Sequence, residues 1–139
     1  MNKAAALAEA HDVYLGIEPE LANVVNSADA AKRLLNEVGS PRLRIVLDPA
    51  NLFETASEGE RRNIAAHAAE TLAGSISMAH AKDRNAEGGF TAAGKGVIDF
   101  PYFLACLKRA GFDGPLVAHG LSEAEAQGVS AFLNKVMNK

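Results

Sequence analysis

Ser75-Ile-Ser-Met-Ala-His80-Ala-Lys-Asp83 is an apolar run that ends in a histidine, a lysine and an aspartate. Branched and apolar residues over this length predict a buried strand, and polar groups bunched at its C-terminal end predict a strand feeding a working loop. The same arrangement recurs three times: Val13-Tyr-Leu-Gly-Ile17 runs into Glu18, Leu43-Arg-Ile-Val-Leu47 into Asp48, and Pro115-Leu-Val-Ala118 into His119. The four terminal residues are spaced 30, 32 and 39 apart, the length of one βα unit each. Parallel strands point their C-terminal ends the same way, so Glu18, Asp48, His80 and His119 are expected on one rim.

The helices between the strands are legible from their caps and periodicity. Residues 2–10 are rich in alanine, leucine and glutamate and predict a helix, or the tail of one that begins upstream. Asn26-Ser27 offers an N-cap for a helix with Ala31, Leu34, Leu35 and Val38 on one face, stopped by Gly39. Residues 54–60 read as a polar turn, and residues 61–72 as a helix with Ile64, Ala65, Ala68 and Leu72 inward; His67 on it reads as a surface residue. Asp99 caps a helix whose Phe100, Phe103, Leu104 and Leu107 form a core stripe. Ser122-Glu-Ala-Glu125 is a capping box for a last helix that buries Val129, Phe132, Leu133 and Val136. The longest connection, residues 84–97, carries Gly88-Gly89 and Gly94-Lys-Gly96 and is expected to be a mobile loop over the rim, its spacing matching no nucleotide-binding fingerprint.

Bulk properties narrow the function. A chain of 139 residues with 48% hydrophobic content suits a single domain, residues 1–139, with its own core. The net charge is −3 and the 14 lysines and arginines are scattered, which argues against nucleic acid or a membrane surface as partner. The single cysteine, Cys106, sits in an apolar helix and reads as a core residue. No run is long and apolar enough to span a bilayer, and residues 1–11 are not a signal peptide, so the cytoplasm is the expected location.

A glutamate, an aspartate and two histidines on one rim can hold a divalent ion, and such oxygen and nitrogen ligation does not separate Mn²⁺, Mg²⁺, Co²⁺ and Zn²⁺. Taken singly, each could instead cap a loop or bond a backbone amide. Lys82 and Asp83 either bind a substrate oxygen or phosphate or form a solvated ion pair. Asn51 either meets a substrate hydroxyl or closes an Asx-turn after its strand.

Five segments in this order, Ile17-Glu-Pro-Glu20, Leu47-Asp-Pro-Ala-Asn-Leu52, His80-Ala-Lys-Asp83, Gly94-Lys-Gly-Val-Ile-Asp99 and Gly111-Phe-Asp-Gly-Pro-Leu-Val117, resemble the sugar phosphate isomerase/epimerase family with the xylose isomerase-like TIM barrel. The resemblance implies an α/β fold of four βα units with parallel strands, equivalent to the C-terminal half of a (β/α)₈ barrel. It also implies a metal-dependent sugar or sugar-phosphate isomerase or epimerase, moving a proton between carbons through an enediolate. Glu18, Asp48 and His80 fall on three of the family's four usual metal ligands. Glu18 is then both ligand and proton-transfer group, with Asn51, Lys82 and Asp83 facing the substrate. The chain departs from the family at two positions: His119 stands where a glutamate usually serves as fourth ligand and second acid/base, and Asn51 where many members place a substrate-binding histidine.

A full barrel takes about 200 residues or more, and only four units are present. Four open parallel strands leave two unpaired edges and a bare inner face. The expected partners are therefore a small sugar or sugar phosphate and a second half-barrel, from another copy of this chain or from a missing N-terminal half. The alternative is a non-catalytic half-barrel acting as a binding or assembly module. A DNA endonuclease on the same fold is disfavoured by the lack of a basic face.

Overall fold

The structure, a computed structural model, describes residues 1–138. In chain order it contains α1 (Asn2–Ala10), β1 (Leu15–Ile17), α2 (Ala28–Val38), β2 (Leu43–Leu47), a 3₁₀ turn (Pro49–Asn51), α3 (Glu58–Thr71), β3 (Ile76–Arg84), β4 (Phe90–Ala92), α4 (Phe100–Arg109), β5 (Leu116–Ala118), a second 3₁₀ turn (Glu123–Glu125) and α5 (Ala126–Met137). Strands β1, β2, β3 and β5 lie side by side in that order and are all parallel. This is the four-unit parallel βα sheet expected from the sequence, open at β1 and at β5.

The helix boundaries follow local chemistry. The Ser27 hydroxyl accepts from the Ala30 N–H at 3.2 Å to start α2, and Asp99 accepts from the Tyr102 N–H at 3.0 Å to start α4. Helix α3 begins at Glu58, earlier than the apolar periodicity indicates, because Ser57 and Glu60 form a capping box that the polar composition of the segment conceals. His67 is exposed and meets Asp29 on α2.

One face of the sheet packs on the helices. Ile45, Leu47, Ala79 and Ala81 are fully buried there against Ala31, Leu72, Phe100, Phe103 and Leu107. Phe100 meets Phe132 of α5 edge to face at 5.7 Å, which joins α4 and α5 over the sheet. Cys106 is buried in this layer as a free thiol.

Residues 84–97 correct the expectation of a mobile loop. Strand β3 runs on to Arg84 and the chain folds back as β4, antiparallel, pairing Lys82 with Ala92, Asp83 with Thr91 and Arg84 with Phe90. Asn85 closes the turn, its side chain and backbone both bonded to Gly89. The polar turn residues hide a three-residue strand too short to show alternation.

The start of α5 is tied to the segment after this hairpin through Glu125. Its carboxylate accepts from Lys95 Nζ at 2.7 Å and from the Ser122 hydroxyl and N–H at 2.7 and 2.8 Å. The bond from Lys95, with those from Ser122, holds the Glu125 pKa down at about 2. A carboxylate whose folded pKa lies below its ordinary value stabilises the fold above that ordinary value, about 4.5, and the stabilisation is lost as the pH falls toward 2. Glu125→Gln should therefore lower the melting temperature near neutral pH and lose less stability than the wild type between about pH 5 and about pH 2. Thermal melts of both proteins across that range check it; parallel curves would contradict the assignment.

Candidate metal and substrate site

Side chains alternate across a strand, so the residues between the buried ones face the open, concave side of the sheet. Register gives them as Gly16 on β1, Val46 on β2, Met78 on β3 and Val117 on β5. Two residues further along each strand direction stand Glu18, Asp48, His80 and His119. The phase of β3 depends on an irregularity: Ile45 pairs with Ile76, but Val46 pairs with Met78, leaving Ser77 as an extra residue. Ile76 thereby packs toward the helices while Met78 and His80 come into step with Val46 and Asp48.

The rim residues form one connected group. Glu18 Oε1 accepts from Asn51 Nδ2 at 2.9 Å and lies 2.9 Å from His80 Nδ1. His80 Nδ1 is also 3.5 Å from Asp48 Oδ2. The His119 ring lies over the His80 ring, centroids 4.8 Å apart and planes 6° from parallel. Lys82, buried, donates to Asn51 Oδ1 at 2.7 Å and places Nζ 3.2 Å from Asp48 Oδ2.

Asp48 is the focus of this group. It is fully buried. Its Oδ1 accepts from the Ala50 N–H at 2.9 Å, which caps the 3₁₀ turn carrying Asn51. Among the described residues its Oδ2 has no hydrogen-bonded partner, and Lys82 Nζ stands 3.2 Å from it as an ion pair. Burial pushes the Asp48 pKa up, and the Lys82 charge and the Ala50 amide only partly offset it.

These residues fit a divalent cation. Asp48, His80 and His119 offer ligand atoms within 4.8 Å of one another. Glu18 lies outside that closest set and joins it through His80. A buried carboxylate oxygen without a directed partner, next to two imidazoles, is the donor set a hard to borderline ion takes.

Asp83 is placed differently from the sequence expectation. It is fully buried and faces no open space. One oxygen accepts from the Arg84 and Ile98 N–H groups at 2.9 and 3.0 Å, the other from Gly94 and Gly96 at 3.0 Å each. Four backbone donors account for its acceptor capacity, so it organises the loop instead of meeting a ligand. The glycines of that loop do let backbone come close, but to this carboxylate: a Cβ on Gly96 would collide with the Arg84 carbonyl and Asp83.

Two further residues at the rim carry no signal in the sequence. Arg84, buried, donates from Nε to the Ala50 carbonyl at 2.6 Å and from its guanidinium to Gly88, tying the hairpin to the turn after Asp48. Phe90, 50% exposed, lies with its ring centroid 4.1 Å from both Lys82 Nζ and the Arg84 guanidinium carbon. The hairpin that brings Phe90 over the site is the feature that periodicity did not reveal.

An open parallel βα sheet of four units, with an acid and imidazole cluster at the C-terminal ends of its strands, has the architecture of half a (β/α)₈ barrel. Residues 1–135 match the xylose isomerase-like TIM barrel family, and the chain belongs to that family. No curated protein sequence matches it. Among solved structures it superposes on a D-tagatose 3-epimerase-like protein with a TM-score of 0.75 at 21% identity, over 98% of this chain and 51% of that one. A xylose isomerase domain protein from Planctomyces limnophilus gives 0.74 at 22% identity, over 99% and 51% of the two chains. The 3-keto-D-glucoside 4-epimerase YcjR from E. coli gives 0.69 at 17% identity, over 98% and 50%. The fold is therefore that of the xylose isomerase-like barrel, and the chain spans about half the length of these solved structures. Among the described residues no helix is long and apolar enough to cross a membrane.

The role given to Asp83 is open to a direct check. Asp83→Asn replaces one acceptor oxygen by a donor aimed at backbone donors, and should destabilise the chain by about 2–4 kcal/mol in urea unfolding. A loss below about 0.5 kcal/mol would mean that the four bonds contribute nothing net.

Proposed function

We propose that this chain carries the metal-binding and proton-transferring half of a sugar or sugar-phosphate isomerase or epimerase site. What supports the reading is the gathering of Glu18, Asp48, His80 and His119 on the concave face, around a buried Asp48 oxygen that lacks a directed partner. The three solved structures named above carry epimerase or isomerase names, and a probable 3-DHS dehydratase shares the fold.

Asp48, His80, His119 and Glu18 would hold a divalent ion, which supplies polarisation of a sugar carbonyl and makes the neighbouring C–H more acidic. Glu18, partly exposed and bonded to Asn51, would take that proton on its carboxylate. The electron pair of the broken C–H bond moves into the carbon–carbon bond of an enediolate, and a proton returned to carbon completes the isomerisation or epimerisation. His119, the most exposed of the group and stacked on His80, is the candidate for returning it. Asn51 and, once freed from Asp48, Lys82 would supply donors to substrate oxygens on the same face; both are buried, Lys82 bonded to Asn51 and Asn51 to Glu18.

Activity is proposed to require a second half-barrel. Among the described residues the outer edges of β1 and β5 are unpaired, and Val117 is exposed on the inner face. Self-association, or union with a complementary half, would pair these edges and cover that face. A chain that stays monomeric in light scattering at high micromolar concentration would refute self-association.

A second reading, a non-catalytic binding or assembly module, is favoured by the exposed His119 at the position where the family resemblance places a glutamate. Solvent exchange separates the two. In deuterated water, the assembled protein with Mn²⁺ or Co²⁺ should move deuterium into ketoses beside the carbonyl, and Glu18→Gln should slow this at least about 100-fold. No exchange with either ion in an assembled sample would leave the module.

A further inference from the structure

Resting on the metal-site reading above, we propose that Lys82 is a built-in competitor for the metal: its ammonium group stands at the Asp48 oxygen that a divalent ion needs, and metal entry displaces it. Lys82 Nζ lies 3.2 Å from Asp48 Oδ2, the buried oxygen with no directed hydrogen bond. It is held from two other sides, by Asn51 Oδ1 at 2.7 Å and by the face of Phe90, whose centroid is 4.1 Å away. The stem is accommodated as well. Gly120, next to His119 and at φ 68°, is where a Cβ would meet Lys82 Cγ and Cδ at 3.0 and 3.1 Å. The lysine is thus seated in a fitted slot on the same face as His80, two residues before it on β3.

The physical reason for such a seat is the cost of Asp48. A fully buried carboxylate without a compensating charge destabilises the fold, and a tethered cation supplies that charge when no metal is bound. A divalent ion and an ammonium group on the same oxygen repel each other, so the two states exclude one another. The longer contact to Oδ2 marks the bond that gives way, while the shorter bond to Asn51 and the ring of Phe90 hold the amine near the rim. Displacement turns Lys82 from the counter-ion of Asp48 into a free cation facing the substrate. The cost of moving it lowers the apparent metal affinity of the wild type.

The test uses this chain with Co²⁺ as the probe, because all the proposed ligands lie within it. Calorimetry and the visible absorption of bound Co²⁺ give the affinity, and thermal melts with and without the ion give stability. Lys82→Met, which keeps the stem and removes the charge, should bind Co²⁺ about tenfold or more tightly than the wild type. It should melt lower than the wild type without the ion and gain more from its addition. Lys82→Arg, which retains a positive charge, should bind no tighter than the wild type. Unchanged or weaker binding by Lys82→Met, with the wild type binding, overturns the competitor role and leaves the metal site standing. Absence of Co²⁺ binding in wild type and variant alike overturns the metal site and this inference with it. Far-UV circular dichroism verifies the fold of each variant, and Lys82→Gln carries the same readout if Lys82→Met does not fold.

Discussion

The extra residue at Ser77 sets the phase of the whole rim. In parallel strands in regular register, neighbours point to the same face. Ile45 and Ile76 do so toward the helices, and without an insertion Asp48 would stand beside Ala79, with His80 out of step. The insertion between Ile76 and Met78 lets β3 bury Ile76 in the core and still deliver His80 and Lys82 to the concave side with Asp48. Bulges bend a strand and re-aim its side chains at modest cost, and here one reconciles the demands of packing with those of the site.

Once the rim residues face one way, their charges have to be reconciled. Asp48 is buried deeply enough that desolvation outweighs the help it receives from Lys82 and from the Ala50 amide. Glu18, less buried, is held by Asn51 and His80. The two carboxylates therefore occupy different environments, one fully buried and the other hydrogen-bonded and partly exposed.

The hairpin beyond β3 acts as scaffold and wall together. Asp83 draws four backbone donors to one buried carboxylate, fixing residues 94–98, and Arg84 bridges from the hairpin to the turn that presents Asn51. Phe90 is carried over Lys82 as a consequence. Glu125 and Lys95 then connect this assembly to α5, so the loop side of the rim is braced from both of its flanks.

The open sheet was legible in the sequence because each βα unit repeats a local rule: an apolar run of strand length, a polar residue at its end, a capped amphipathic helix and a glycine or proline boundary. Glu18, Asp48, His80 and His119 could be named for the same reason, each being the first polar residue after an apolar run. Asp83 could not be assigned, since a carboxylate beside a lysine has the same sequence whether it faces solvent or four backbone amides. The phase shift at Ser77, the pairing of residues 90–92 with β3, and the seat of Lys82 between Asp48, Asn51 and Phe90 were decided only by the tertiary structure. Local pattern records which residues prefer burial and where a helix starts. Long-range register and the sharing of one buried charge among distant residues depend on contacts that no single segment contains.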